Sequence, residues 1–198
     1  MESYNKFFYY INKIVDILFL SILWTICSLP IVTIGASASA AYVCVHQSIC
    51  HDRNYIARTF FSAFRKNLKT GCFTSIIFLP AIVLSALAFY RTVQKNSGDF
   101  TYLFLFLSIF IFGICILIYL HFCCITARFA YPHSTVVQLI ITFLLKDIFL
   151  NLLLLFLFAC SLDIVIYYPP SLFCIPGVYM VLCYIIEEQI FRKHIKNL

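Results

Sequence analysis

The chain has 198 residues, of which 63% are hydrophobic and 11% are charged, and its formal net charge is +6. Soluble proteins average about 45–50% apolar and about 25% charged residues, so this composition excludes a soluble globular domain. Three long segments, 72–90, 102–124 and 148–168, contain one charged side chain among them, Asp163. Because a bilayer core needs roughly 20 apolar residues per helix, the sequence predicts an all-α, polytopic helical membrane protein.

The first element is an apolar helix over residues 9–29, which is too long to be a cleaved secretion signal. Pro30 removes a backbone donor and disfavours helix at the residue before it. A second, short helix over 36–50 is expected to return after the break, with Thr33 or Ser37 as its cap. Its first turns contain small residues, Gly35 and Ser39 among them, that allow backbones to approach closely in lipid.

Residues 55–69 differ from their neighbours because they form a basic amphipathic pattern. At 100° per residue the apolar side chains fall on one face and the basic ones on the other. The apolar face holds Ile56, Phe60, Phe61, Phe64 and Leu68, and the basic face holds Arg58, Arg65, Lys66 and Lys69. We expect a helix that lies in the cytoplasmic membrane interface and ends before a span that starts near Gly71, with docking to a partner as the alternative.

The remaining helices are expected at 72–90, 102–124, 148–168 and 172–190, within one integral membrane domain over 1–198. Lysines and arginines gather in the termini and in the loops 46–71 and 125–147. Cytoplasmic loops carry such an excess, so both termini are expected in the cytoplasm. This distribution of lysines and arginines favours six membrane-embedded helices, and five crossings are the alternative.

Ten cysteines and five histidines do not form a recognisable metal site, since no Cys-x-x-Cys occurs. Buried cysteines behave as small hydrophobes. We expect no catalytic residue, no metal site and no cofactor. The basic residues lie beside membrane segments, so no nucleic-acid binding is expected either.

Three stretches carry a resemblance to a known family. They are Ser28-Leu29-Pro30-Ile31-Val32-Thr33-Ile34-Gly35-Ala36, then Phe60-Phe61-x-x-Phe64-Arg65-x-Asn67, and later Ala127-Arg128-Phe129. The chain resembles the YesL-like family of bacterial integral membrane proteins, a family of unknown biochemical function. The resemblance implies an accessory or regulatory role near carbohydrate uptake, and it carries over no catalytic residue.

The functional hypotheses therefore differ in class. The first is a non-enzymatic accessory protein in the lipid bilayer, whose partner is a sugar-transporter permease or a second copy of itself. The alternative is a small transporter or channel, which needs polar groups along a path, such as Asp163, Asn151, Ser37 or Ser39. A membrane-embedded enzyme is the least favoured hypothesis.

A functional centre, if the chain has one, is expected at the break between Pro30 and Gly35. The free N–H groups of a new helix favour an anion or a hydroxyl-rich ligand there. The other interpretation is close packing through Gly35, Ser39 and Ala40, and the sequence leaves both open.

Overall fold

The computed structural model describes residues 2–51, 55–95, 101–129 and 131–194. The described part contains seven α-helices and no strand, which confirms the all-α prediction. The helices are α1 Glu2–Ser28, α2 Ile34–Cys44, α3 Ile56–Lys95, α4 Thr101–Arg128, α5 His133–Lys146, α6 Ile148–Tyr167 and α7 Ile175–His194. Short 3₁₀ turns at Ile31–Thr33 and Pro169–Phe173 precede α2 and α7, and a π-helical segment, Val45–Ile49, continues α2.

Four helical segments within the described residues are long and apolar enough to cross a membrane: Tyr9–Ser28, Ile56–Gln94, Tyr102–Arg128 and Ile148–Tyr167. Large apolar side chains are exposed on their outer faces, as at Phe149. Such faces are unfavourable in water and suit a lipid environment. The molecule is thus a polytopic helical protein whose outer surface has membrane character.

Helix α2 forms the centre of the bundle, and residues 35–42 are all buried. It packs most extensively on α3 and also contacts α1, α4 and α7. With its π-helical extension it covers 34–49, about 24 Å at 1.5 Å per residue. The predicted short returning helix at 36–50 is therefore present, and its small side chains let four other helices approach it.

Helix α3 differs from the prediction because it is one continuous helix of 40 residues. The sequence indicated an interfacial helix at 55–69 and a separate span from 72, with a boundary near Gly71. Gly71 does not end the helix. Because glycine has no side chain, the backbone of α3 at Gly71 lies in direct contact with the backbone of α2. A glycine can stay helical where a neighbouring backbone needs its space.

Helix α5 was not expected, because residues 125–147 were interpreted as a cytoplasmic loop. It begins directly after Pro132, which is in extended conformation. Its buried residues are Val136, Ile140 and Phe143, at the spacing of one helix face. The last helix begins at Ile175 instead of 172, and Pro176 lies in its first turn, where a missing N–H costs no hydrogen bond.

Candidate functional site

At the break between α1 and α2, the Thr33 hydroxyl and the Gly35 N–H have internal partners, whereas the buried Ser28 hydroxyl has none among the described residues. The Thr33 hydroxyl donates to the carbonyls of Cys27 at 2.6 Å and Pro30 at 2.7 Å, and so covers the end of α1. No side-chain cap comes from Thr33 to α2. Instead the Gly35 N–H donates to Ser75 Oγ of α3 at 2.9 Å. The expectation that Thr33 or Ser37 caps α2 is therefore wrong, because a hydroxyl from a neighbouring helix occupies that N–H.

The same junction brings two backbones into direct contact. A Cβ atom added to Gly35 would lie 2.5 Å from the Gly71 carbonyl oxygen, and one added to Gly71 would lie 2.5 Å from the Ala36 Cα. Neither neighbour is a movable side chain. These two glycines therefore fix the distance between α2 and α3.

The two serines of α2 also bond to backbone. Ser37 Oγ donates to the Thr33 carbonyl at 3.1 Å, and Ser39 Oγ donates to the Cys123 carbonyl of α4 at 3.2 Å. Ser37 and Ser39 are 0% and 1% exposed. A hydroxyl that is buried and already donating has little left for a ligand, so the geometry of the break favours the packing interpretation.

A polar cluster that the sequence analysis did not single out lies where α4, α6 and α7 meet. His121 Nδ1 lies 2.8 Å from Glu187 Oε1, off the line of a regular hydrogen bond. His121 Nε2 lies 2.9 Å from Asn151 Oδ1, and Asn151 Nδ2 donates to the Phe143 carbonyl at 3.0 Å. His121 and Glu187 are 0% exposed and Asn151 is 4% exposed. We call these three residues the His121 cluster.

The donor and acceptor roles in the His121 cluster follow from the Phe143 carbonyl, which contacts Asn151. The Phe143 carbonyl accepts, so it requires the Asn151 amide nitrogen, and the Asn151 oxygen must then accept from His121 Nε2–H. With Nε2 protonated, Nδ1 faces Glu187 Oε1 at 2.8 Å, which places an imidazole and a carboxyl group next to each other in the interior of the bundle.

A second polar group is centred on Arg128 at the end of α4. Its Nη2 lies 3.2 Å from Glu188 Oε1, and its Nη1 donates to His46 Nε2. The π-helical segment carries His46, whose Nδ1 lies 3.0 Å from the Tyr184 hydroxyl. Glu188 also faces Arg192 at 3.9 Å, the i,i+4 pair expected from the sequence. Arg128 therefore connects α2, α4 and α7.

Asp147, between α5 and α6, forms a third group with Lys193 and His194 at the end of α7. Burial acts to raise the pKa of Asp147, but hydrogen bonds from these two side chains outweigh it. The pKa of this carboxyl therefore lies below its ordinary value. The ion pairs hold the end of α7 against the start of α6.

The residues predicted for the interface helix separate into two groups. Phe60 is fully buried and stacks on Phe64, with ring centroids 6.1 Å apart, whereas Phe61 is 46% exposed. Phe60 thus packs against protein and not against lipid, since α3 lies along α2. Arg65 and Lys66 are exposed and Asn67 is 9% exposed.

Lys66 and Asn67 line one cavity together with Arg128. The structure thus brings three predicted residues together, while Pro30 to Ser39 form the separate junction described above. The sequence interpretation considered Asn151 only as a possible path residue and assigned no pairing to His121 or Glu187. The signal available was that His121 and Asn151 are each an isolated polar side chain in an apolar helix, which is costly in a membrane unless a partner is present.

Comparison with known protein families gives a match to part of the chain. The family described as "Protein of unknown function, DUF624" matches residues 16–90. This region covers the C-terminal part of α1 from Asp16, all of α2, and α3 as far as Tyr90, and so contains the junction of Gly35 with Gly71. No curated protein and no solved structure matches the chain. Over residues 16–90 the chain is therefore similar to a family whose function is not known.

Proposed function

We propose that the protein is a non-enzymatic accessory or regulatory component of the bacterial cytoplasmic membrane, associated with carbohydrate uptake. One observation carries the non-enzymatic part of the proposal. Within the region that matches the family, the residues from Pro30 to Ser37 form a close helix junction in which the Thr33 and Ser37 hydroxyl groups bond to backbone. Residues used in this way build a rigid scaffold and leave no reactive group exposed to a substrate.

The association with carbohydrate uptake rests on the resemblance to the YesL-like family. The partner we propose is a sugar-transporter permease, with a second copy of the chain as the alternative. Exposed apolar side chains along α3 and α4, such as Leu84 and Phe106, suit contact with other transmembrane helices or with lipid. Such a component would act by holding or adjusting the permease within the bilayer.

Uptake of labelled oligosaccharides tests this proposal. Deletion of the gene should lower the initial uptake rate, and the wild-type chain should restore it. Purified protein alone in liposomes should give no sugar flux. The permease should co-purify with the tagged chain from native membranes at a fixed ratio. Normal uptake in the deletion strain, measured on every sugar that induces the gene, would contradict the proposal.

A small transporter is the second candidate, and the His121 cluster is the observation that favours it. Ionisable residues inside a membrane bundle often mark ion or substrate paths. Here an imidazole and a carboxyl lie 2.8 Å apart in the interior. Flux through liposomes that contain only the purified protein, abolished by Glu187→Gln, would favour this candidate over the accessory role.

Both termini are proposed to be cytoplasmic, as the distribution of basic residues favours. Reporter fusions at residues 1 and 198 test this orientation. Two cytoplasmic reporters are expected. An external N-terminal reporter with a cytoplasmic C-terminal one would mean five crossings and would exclude the α1–α2 hairpin as two complete passes.

A further inference from the structure

We infer that the cavity between α2, α3 and the end of α4 binds a phosphate group. The cavity has a volume of about 420 Å³ and lies at the end of the bundle that carries most basic residues. Its polar lining consists of Gln47, Arg58, Thr59, Ser62, Lys66, Asn67 and Arg128, and its apolar lining of Val43, Ala63 and Ala127. We call it the basic cavity.

The charge of the basic cavity favours an anion. Three cationic side chains line it, Arg58, Lys66 and Arg128, and the described lining includes no acidic residue. Glu188 neutralises one of these charges from outside the cavity, through Arg128 at 3.2 Å. Three positive charges less one negative charge leave a local balance of +2. Arginine and lysine together suit phosphate, because the guanidinium binds two oxygens at once and the ammonium adds charge.

Asn67 provides an independent observation. It is 9% exposed and lines the cavity. An amide N–H group donates to a phosphate oxygen, which gives the site a neutral donor beside its cations.

One hydroxyl group fits the same ligand. Ser62 on α3 is exposed and lines the cavity. Thr59 also lines it, but its hydroxyl already donates to the Tyr55 carbonyl and accepts from Ser48 Oγ at 3.3 Å. A phosphate group in the cavity would therefore meet charged donors and the neutral Ser62 hydroxyl.

Two sources carry this chemistry, an anionic lipid headgroup and a soluble phosphate ester. Purified protein in phosphatidylcholine nanodiscs should be titrated with inorganic phosphate and with glycerol 3-phosphate, and binding measured by calorimetry. In parallel, protein from vesicles that contain phosphatidylglycerol should be examined for retained lipid by native mass spectrometry. Binding in the first experiment identifies a soluble ester, and retention in the second identifies a headgroup.

The decisive test compares two double variants of α3 that each remove two positive charges. Arg58→Gln with Lys66→Gln removes two lining cations, whereas Arg65→Gln with Lys69→Gln removes two exposed cations of α3 that do not line the cavity. The lining pair should weaken binding at least about tenfold, since charge-assisted contacts are lost, and the control pair less than about twofold. Equal weakening by both pairs, or binding in neither experiment, would overturn the inference.

A single substitution tests the role of Asn67. Asn67→Leu should weaken phosphate binding, because it removes a donor from the cavity lining, while leaving the thermal midpoint of the ligand-free protein unchanged. A lowered midpoint with unchanged binding would show that Asn67 serves the fold and would remove it from the site.

Discussion

The α1–α2 junction and the His121 cluster both bury polar side chains, but they satisfy them in different ways. At the junction, hydroxyl groups donate to main-chain carbonyls, as Thr33 does to Cys27. In the His121 cluster, His121 Nε2 bonds to Asn151, but His121 Nδ1 and both Glu187 carboxyl oxygens have no regular hydrogen-bond partner among the described residues. The first arrangement leaves little capacity for other chemistry, whereas the second retains an ionisable pair.

Because of this difference, the stability of the two regions should be sensitive to different substitutions. The junction depends on the absence of side chains, so adding atoms there should disturb folding and removing a hydroxyl should not. In the His121 cluster a buried imidazole faces a buried carboxyl group, so removing one partner should be worse than removing both. Each region therefore predicts its own pattern of mutational effects.

The largest effect is expected from Gly35→Ala and Gly71→Ala. Each new Cβ atom would lie about 2.5 Å from backbone atoms of the other helix, too close for contact without moving a helix. Both variants should lose the monodisperse peak in size-exclusion chromatography. Gly113→Ala is the matched control, because its Cβ would meet only the end of the Leu155 side chain, at 3.3 Å. Normal folding of Gly35→Ala would refute the close junction.

A large effect is also expected from His121→Leu, which leaves the Glu187 carboxyl buried without its partner. Breaking a buried pair in this way costs about 3–5 kcal/mol. The double variant His121→Leu with Glu187→Leu should be more stable than His121→Leu alone, as measured by unfolding in mild detergent. If the two single effects simply add, the two side chains are not coupled.

Neighbouring phenylalanines of α3 sharpen the comparison between protein-facing and outward-facing positions. Phe60→Ala should lower the free energy of unfolding by about 3 kcal/mol, because Phe60 is fully buried. Phe61→Ala should change it by less than about 0.5 kcal/mol, since this side chain is 46% exposed. Equal effects in a thermal unfolding series would mean that α3 is not held against α2 along this face.

Asp147 gives a smaller, pH-dependent effect. Its folded-state pKa lies below the ordinary value, so its contribution to stability is present above about pH 4 and is lost as the pH falls through the folded pKa. Asp147→Asn should therefore be less stable than wild type at neutral pH, and the difference should shrink on acidification. Unfolding curves of the variant and wild type should be measured in parallel at each pH. If their difference in unfolding free energy stays constant down to pH 3, the ion pairs with Lys193 and His194 are not its source.

The sequence predicted those parts of the fold that depend on composition alone. The apolar segments 102–124 and 148–168 correspond to α4 at Thr101–Arg128 and α6 at Ile148–Tyr167, because uninterrupted apolar residues suffice to specify such helices. Gly71 was misinterpreted, since the same residue type ends one helix and permits close contact inside another. Only the position of Gly35 across the interface distinguishes the two cases.

The candidate site was harder to predict for a related reason. Lys66, Asn67 and Arg128 were each selected separately, but their common cavity depends on how α3 passes the end of α4. His121 and Glu187 lie on different helices, far apart in the sequence, and neither has a spacing partner that would reveal the pair. Local sequence patterns indicate which face of a helix is apolar. Contacts between helices depend on how the whole chain folds and cannot be predicted from those patterns.

The smallest expected effect tests the central claim most directly, namely that the α1–α2 junction is a packing device. Ser37→Ala removes a buried hydroxyl that donates only to the Thr33 carbonyl of its own helix. Its expression level and its stability in detergent should match wild type within about 1 kcal/mol, and it should fully restore carbohydrate uptake in the deletion strain. Loss of uptake with unchanged stability would show that the Ser37 hydroxyl serves a polar site and would contradict this account of the junction.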